Sequence, residues 1–262
     1  MNVLNKIVAY KKEEVAVRKS LTTIDELKDS EYFSRKPLSL SKSLQLQDAS
    51  GIISEFKRKS PSKGFIHAEA NALEITKAYT ANGASALSVL TDHYFFGGST
   101  EDLLQARVNH LPILRKDFII DPYQIYESKA MGADVILLIA ACLTVHEVQE
   151  LAALGNELKL EVLLELHGEN ELNHLCHGID LIGINNRNLK TFSVDINRSI
   201  ALSKMLPAGK IKIAESGIDA AATVLELKKA GYSGFLMGEA FMKHQDPGQA
   251  LKNFVKELKF TI

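Results

Sequence analysis

Residues 134–155 read DVILLIAACLTVHEVQELAALG, and this stretch contains one full unit of a repeating pattern. The apolar run at 134–140 has the length of a buried strand. Thr144 then begins an amphipathic helical pattern that extends to Gly155. Thr is a favoured residue at a helix start and Gly is a common helix stop, so the stretch predicts a β-strand followed by an α-helix.

The same pattern recurs along the whole chain. Eight short apolar runs end in polar residues: GIISEFK (51–57), ALSVLTD (86–92), PILRKD (112–117), DVILLIA (134–140), LEVLLELH (160–167), DLIGINNR (180–187), KIKIAESG (210–217) and GFLMGE (234–239). Helical patterns separate several of them, at 68–84, 121–133, 144–155 and 219–231. Strands that alternate with helices predict a parallel sheet. Eight such units favour an α/β fold that is a single (β/α)₈ TIM barrel, with a doubly wound open sheet as the rival.

An N-terminal segment, residues 1–48, precedes the first apolar run. Its apolar residues are spaced for an amphipathic helix among Lys and Glu: Leu4, Ile7, Val8, Val15 and Val17. We therefore predict one barrel domain over 1–262 with a helical extension at 1–48. The extension is expected either to cap the barrel floor or to lie near its mouth.

The composition of the chain limits its expected binding partners and its expected cellular compartment. Lys and Arg total 31 against 32 Asp and Glu, and the chain has no basic stripe with interleaved aromatics, so no nucleic-acid partner is expected. No apolar run is long enough to cross a membrane. The two cysteines, Cys142 and Cys176, lack a paired spacing, and a reducing, cytoplasmic setting is expected.

Charged and amide side chains stand at the ends of most predicted strands. The active site of such a barrel lies at the C-terminal ends of its strands, which makes candidates of Glu55, Lys57, Lys116, Glu165, Asn185 and Glu215. Acids and bases crowded at one mouth shift each other's pKa values, as acid–base catalysis requires. A solvated rim of charges is the alternative, and either lysine is also suited to a Schiff base with a carbonyl substrate.

Glycines after the last two predicted strands suggest a phosphate site. Gly217 and Gly238 occupy the loops where barrels often bind phosphate through backbone N–H groups. Glu239 carries the wrong charge for an anion site, unless its N–H donates while its side chain points away. The alternative is that both glycines only form turns.

Two further motifs are weaker indications of a functional site. His174, Cys176 and His177 resemble part of a metal site, but no second cluster completes it and no metal is expected. Phe95 and Phe96 follow the second predicted strand, where they either line an aromatic substrate pocket or pack the loop.

Seven segments together resemble the indole-3-glycerol-phosphate synthase family of tryptophan biosynthesis. They are KIVAYKKEEVAVRK (6–19), SEFKRKSPSKG (54–64), LTDHYFFGGS (90–99), LRKDFIIDPYQIYES (114–128), IGINNRNLKTF (182–192), IAESGI (213–218) and LMGEAFM (236–242). The resemblance covers essentially the whole chain in order. Gly168 and Asn188 depart from it, since both stand where that family has Asp.

The resemblance implies a carboxy-lyase whose substrate is a small phosphorylated molecule, 1-(2-carboxyphenylamino)-1-deoxyribulose 5-phosphate. Its products would be indole-3-glycerol phosphate, CO₂ and water. The aromatic ring of the substrate accepts the electrons released by decarboxylation, so the resemblance implies no cofactor. A monomer or a weak homodimer is expected.

Matching motifs give each candidate an implied role. Lys116 would be the general acid for ring closure, and Lys57 would bind substrate and assist dehydration. Glu165 would act as base or proton relay, Glu55 would tune the lysines, and Asn185 would orient substrate or a lysine. The implied substrate-binding residues are Ser60, Gly217 and Gly238 for phosphate, Glu215 and Ser216 along the sugar, Phe96, Phe118 and Leu137 around the ring, with Arg187 and Glu239 nearby.

Two other functions compete with this interpretation. A phosphoribosyl-anthranilate-type isomerase is another phosphate-binding barrel that uses an acid and a base but releases no CO₂. A non-catalytic phosphate-binding barrel is the second. The set Glu55, Lys57, Lys116 and Glu165 argues against it, because a binding protein needs no acid–base pairs.

Overall fold

The computed structural model describes residues 3–188 and 193–260. Eight strands form its sheet: β1 (Ile52–Phe56), β2 (Ala86–Leu90), β3 (Ile113–Lys116), β4 (Val135–Ile139), β5 (Glu161–Leu166), β6 (Leu181–Asn185), β7 (Ile211–Glu215) and β8 (Gly234–Met237). Each strand pairs in parallel with the next, and β1 pairs with β8 through Ile52 and Phe235. The closed barrel confirms the predicted (β/α)₈ fold, and the open-sheet rival is wrong.

Helices cover the outside and both ends of the barrel. Those before β1 are α1 (Val3–Leu21), α2 (Ile24–Lys28) and α3 (Leu40–Leu44). Those after β1 are α4 (Ala72–Ala81), α5 (Thr100–Ala106), α6 (Tyr123–Ala130), α7 (Val145–Glu157), α8 (Ile196–Ser203), α9 (Ala221–Lys229), α10 (Glu239–Met242) and α11 (Pro247–Phe260). A 3₁₀ helix, Glu169–His174, stands where an α-helix would connect β5 to β6. A short hairpin pairs Lys59–Ser60 with Gly64–Phe65.

The stretch at 134–155 forms β4 and α7, as its pattern predicts, with one difference. Thr144 and Glu147 cap the helix start reciprocally. Gly155 does not end α7, which continues to Glu157. A Cβ on Gly155 would come within 2.9 Å of Ile136 Cδ1 and 3.0 Å of Val162 Cγ2. This glycine therefore lets the helix pack closely on β4 and β5.

Alternation along the strands divides the core into two layers. One layer fills the barrel interior with side chains such as Ile53, Leu114, Leu163 and Ile213, and the other lies between the strands and the outer helices. Leu40 and Leu44 of α3 belong to the interior layer. The Ser39 hydroxyl also donates to Glu161 at the start of β5 (2.5 Å). Helix α3 thus closes the barrel floor.

Helix α1 lies at the opposite end, over the mouth. Val3, Leu4 and Ile7 line the cavity there. Lys11 is completely buried, with its Nζ 2.9 Å from Asp92, which follows β2, and 2.9 Å from Asp117, which follows β3. The extension therefore occupies both positions that the sequence left open. Within the described part of the chain, no helix combines the length and apolarity needed to cross a membrane.

Candidate active site

A single cavity at the C-terminal ends of the strands contains all the predicted site residues. Its lining includes Glu55, Lys57, Ser60, Phe96, Lys116, Phe118, Leu137, Glu165, Asn185, Arg187, Glu215, Ser216, Gly217, Gly238 and Glu239. They come from all eight strands or from the loops that follow them. The barrel brings them together because all its strands point toward this end. The charges therefore line a cavity and do not form a solvated rim.

Lys116 lies between two carboxylates in the middle of the cavity. Its Nζ is 3.2 Å from Glu165 Oε2 and 3.8 Å from Glu215 Oε2. Asn185 donates its amide to Glu165 Oε1 at 3.0 Å. Lys116, Asn185 and Glu215 end β3, β6 and β7, and Glu165 is the penultimate residue of β5. The backbone of the barrel therefore fixes their spacing. This arrangement offers one buried ammonium to a bound substrate.

The two carboxyl groups near Lys116 differ in acidity. Burial favours the neutral form of both. At Glu165 the cations of Lys116 and His167, together with hydrogen bonds, outweigh the effect of burial. The pKa of Glu165 therefore lies well below the ordinary value. Burial and the charge of Glu165 hold the pKa of Glu215 well above its usual range. One carboxyl is thus an anion and the other retains its proton, which is how two acids obtain different roles in one site.

The ammonium of Lys116 is stabilised in the same way. Burial alone would lower its pKa, but Glu165, Glu215 and Glu55 outweigh burial and raise it. A Schiff base forms from a neutral amine, so a strongly held proton argues for an acid or an electrostatic role at this position.

A second ion pair explains the acid and base that share one face of β1. Lys57 Nζ lies 2.6 Å from Glu55 Oε1, and Glu55 is buried. Gly238 makes room for this pair, because a Cβ there would meet Glu55 Oε1 at 2.5 Å. The end of β8 and the Glu55–Lys57 pair therefore touch each other within the cavity.

The loops after β7 and β8 form the other side of the cavity. Ser216 and Gly217 both have positive φ, +66° and +71°, which turns the chain sharply after β7. Ser60 is buried nearby and also lines the cavity. The negative charge of Glu239 is paired, because its carboxylate lies 2.7 Å from Lys63 Nζ and 3.8 Å from the Arg187 guanidinium.

Aromatic and apolar side chains form the wall beside Lys116. The rings of Phe96 and Phe118 are 6.0 Å apart, and Leu137 lines the same cavity. Phe95 instead packs against Tyr94 and Tyr10, with ring centroids at 4.9 Å and 5.8 Å. Of the two neighbouring phenylalanines, one lines the cavity and the other packs the loop.

Sequence reasoning missed the link between this wall and the N-terminal extension. Asp92 accepts the N–H groups of Phe95 and Phe96, at 2.8 and 3.2 Å. Asp117 accepts the N–H of Phe118 at 2.8 Å. Lys11 holds both aspartates from α1. The available signal was an aspartate directly after each of two apolar runs, LTD and RKD.

His167 was also missed as a site residue. Its Nε2 lies 3.1 Å from Glu165 Oε1, and its Nδ1 lies 3.6 Å from Glu171. The sequence signal was its spacing, two residues after Glu165 at the end of a strand.

The histidines of 174–177 do not form a metal centre. His174 interacts with the carbonyl oxygens of Leu143 and Glu171, at 3.0 and 3.1 Å. Across 3–188 and 193–260, no three His, Cys, Asp or Glu side chains are grouped so that they could hold a metal ion.

Comparison with known proteins identifies the family. The sequence model of the family named indole-3-glycerol phosphate synthase matches residues 4–254. The chain belongs to the indole-3-glycerol phosphate synthase family. It is similar to the indole-3-glycerol phosphate synthase of Bacteroides thetaiotaomicron, with 48% identity over 98% of this chain and 99% of that one. The Polaromonas sp. protein of the same name is 44% identical, over 95% and 97%.

Solved structures agree on the fold of this synthase family member. The chain resembles 3-hexulose-6-phosphate synthase from Salmonella typhimurium with a TM-score of 0.64 and 14% identity, covering 81% of this chain and 100% of that one. Such low identity establishes the barrel alone. The family match favours the synthase over both an isomerase-type barrel and a non-catalytic barrel.

Proposed function

We propose that the protein is a carboxy-lyase that converts 1-(2-carboxyphenylamino)-1-deoxyribulose 5-phosphate to indole-3-glycerol phosphate, CO₂ and water. The observation that carries this proposal is the position of Lys116. Its ammonium lies in a cavity with an aromatic wall formed by Phe96 and Phe118. Glycine-containing loops after β7 and β8 line the same cavity.

Ring closure is the step that needs Lys116. The substrate carbon that bears the carboxylate attacks the ketone carbon, and negative charge grows on the ketone oxygen. The ammonium of Lys116 stabilises that charge and donates its proton to the oxygen. The raised pKa of Lys116 ensures that it carries the proton when substrate binds.

Decarboxylation and dehydration complete the reaction. Loss of CO₂ returns two electrons to the six-membered ring and restores its aromaticity. The hydroxyl formed from the ketone then leaves as water, with a proton supplied by Lys57. Glu165 removes the proton from the neighbouring carbon, and its low pKa means that it enters this step as a carboxylate.

The other predicted residues bind and orient the substrate in this proposal. Ser60 and the backbone N–H groups at Gly217 and Gly238 hold the phosphate, as in other barrels with a phosphate site after the last two strands. Lys63 and Arg187 offset the charge of Glu239 next to that site. Asn185 orients Glu165 through its amide hydrogen bond. Leu137 contacts the anthranilate ring, and Glu215 and Ser216 contact the sugar chain.

The proposal includes the setting of the enzyme. We infer one domain over 1–262, because the strands close a single barrel and the extension packs against both of its ends. We also infer a cytoplasmic monomer or weak homodimer that requires no cofactor.

One assay tests the reaction. Purified protein is incubated with the carboxyphenylamino substrate while indole fluorescence and CO₂ release are followed together. Equal amounts of both products are expected. Lys116→Ala should slow both signals by about a hundredfold or more, whereas Lys204→Ala, at an exposed lysine, should leave them unchanged. An isomerase would convert its own substrate without releasing CO₂, and a binding protein would produce neither indole fluorescence nor CO₂. Either outcome would refute the proposal.

A further inference from the structure

His167 contacts the active site from behind and lies outside the cavity lining. It follows β5 directly, and its ring reaches Glu165 Oε1 at 3.1 Å on the side away from Lys116. Its side chain is only 11% exposed. The Glu171 carboxylate lies 3.6 Å from the other ring nitrogen and accepts the backbone N–H of His167 at 2.6 Å. The ring is therefore fixed between two carboxylates.

These carboxylates determine the charge of the ring. Burial disfavours the charged imidazolium, but Glu165 and Glu171 outweigh burial and raise the pKa of His167 to about 9. The other charged or titratable groups nearby are Arg198, whose guanidinium donates to the carbonyl of His167 at 3.4 Å, and the Cys142 thiol, which lies close to both carboxylates. At neutral pH the ring carries a positive charge.

The charge on the ring matters at one moment of the reaction. In the ground state Glu165 has two cationic neighbours, Lys116 on one oxygen and His167 on the other. When Lys116 gives its proton to the substrate, it becomes a neutral amine. A buried carboxylate without a cation is costly, and that cost would fall on the transition state of proton donation. His167 is the cation that remains beside Glu165.

We propose that His167 is a positioning residue whose protonated ring acts as the counter-cation of Glu165 while Lys116 transfers its proton. This role rests on the proposed function and extends the site beyond the residues that line the cavity. It predicts that the charge of residue 167, rather than its contact with Glu165 alone, controls the rate of ring closure.

The experiment compares three proteins in single-turnover reactions between pH 6 and pH 10. Loss of the ring proton should lower the wild-type rate about tenfold as the pH rises through about 9. The His167→Gln side chain keeps a hydrogen-bond donor but carries no charge. The rate of this variant should be about tenfold lower than wild type at pH 7 and should show no fall near pH 9. His167→Lys restores a cation and should recover most of the rate, with its decline moved to higher pH.

Two readouts separate this role from a purely structural one. The steady-state KM of His167→Gln should stay within about twofold of wild type, because the ring does not line the cavity. His174→Gln is the matched control, since that histidine lies on the same connection but bonds only backbone carbonyls. It should keep the wild-type rate and pH profile. Circular dichroism checks that each variant is folded.

The outcomes distinguish this role from the proposed function. A folded His167→Gln variant that reacts as fast as wild type at pH 7, or that retains the step near pH 9, would overturn the role. Equal rates for folded Gln and Lys variants would do the same. A wild-type protein that forms no indole-3-glycerol phosphate at any pH would instead overturn the proposed function, and the role of His167 with it.

Discussion

Replacing Lys11 with methionine should destabilise the protein strongly. The change keeps the length of the side chain and removes a fully buried ammonium that faces Asp92 and Asp117, both also buried. Asp117 would retain Arg115 at 3.1 Å and the Thr91 hydroxyl at 2.6 Å. Among the described residues, Asp92 would retain the backbone N–H groups of Phe95 and Phe96 as its hydrogen-bond donors. Removal of one partner of a buried ion pair costs about 3–5 kcal/mol.

Equilibrium unfolding in urea at pH 7 measures this loss, and the melting temperature should fall by roughly 6–20 °C. Lys12→Met is the matched control, because Lys12 is the exposed neighbour on the same helix. The double variant Lys11→Met, Asp92→Asn should regain part of the stability, since it removes an unpaired buried charge. A Lys11→Met protein within about 1 kcal/mol of wild type would refute the argument.

The same comparison has a defined pH dependence. Burial opposes ionisation of Asp117, but Lys11 and Arg115 outweigh it and hold its pKa below the ordinary value. A depressed pKa stabilises the folded state above the ordinary Asp pKa of about 4, and that contribution is lost as the pH falls. The stability gap between wild type and Lys11→Met should therefore be largest at neutral pH and narrow in acid.

The remaining predictions concern the reaction. Lys116→Ala should lower kcat by about 10²–10⁴, or roughly 3–5 kcal/mol of transition-state stabilisation, with a smaller effect on KM. A Lys116→Ala variant that retains more than about a tenth of the wild-type kcat would contradict the role of Lys116 as the acid. Lys57→Ala should instead impair both kcat and KM. Gly238→Asp should raise KM, because its Cβ would meet Glu55 Oε1 at 2.5 Å and its charge would face the phosphate; an unchanged KM would refute that phosphate site. EDTA should leave the reaction rate unchanged. Activity that is lost in EDTA and recovered on addition of zinc would refute the proposal that the reaction needs no cofactor.

The periodicity of the sequence favoured the barrel over an open sheet and predicted the charged residues of the cavity. Each apolar run forms one strand, and the polar residues at the run ends meet because parallel strands in a closed barrel end at one rim. That geometry explains why Glu165, Lys116 and Glu215 could be placed together before their distances were known.

Local patterns did not predict partners that are distant in the sequence. No role was predicted for Lys11, because nothing near it in the chain indicates Asp92 or Asp117. Gly155 looked like a helix stop, because the close approach of β4 and β5 is visible only in three dimensions. His167 was missed for a related reason, since its meaning depends on the orientation of its ring toward Glu165.

The double attachment of the extension has a consequence for the order in which the chain is synthesised. Its residues leave the ribosome before the barrel strands, and some of their partners are made much later. Arg35 binds Asp134, 99 residues away, and Ser39 binds Glu161, 122 residues away. Until β5 has emerged, Leu40 and Leu44 have no complete barrel floor to cover. The extension is thus translated before the barrel floor that Leu40 and Leu44 cover, and it reaches its final place only after β5 has been made.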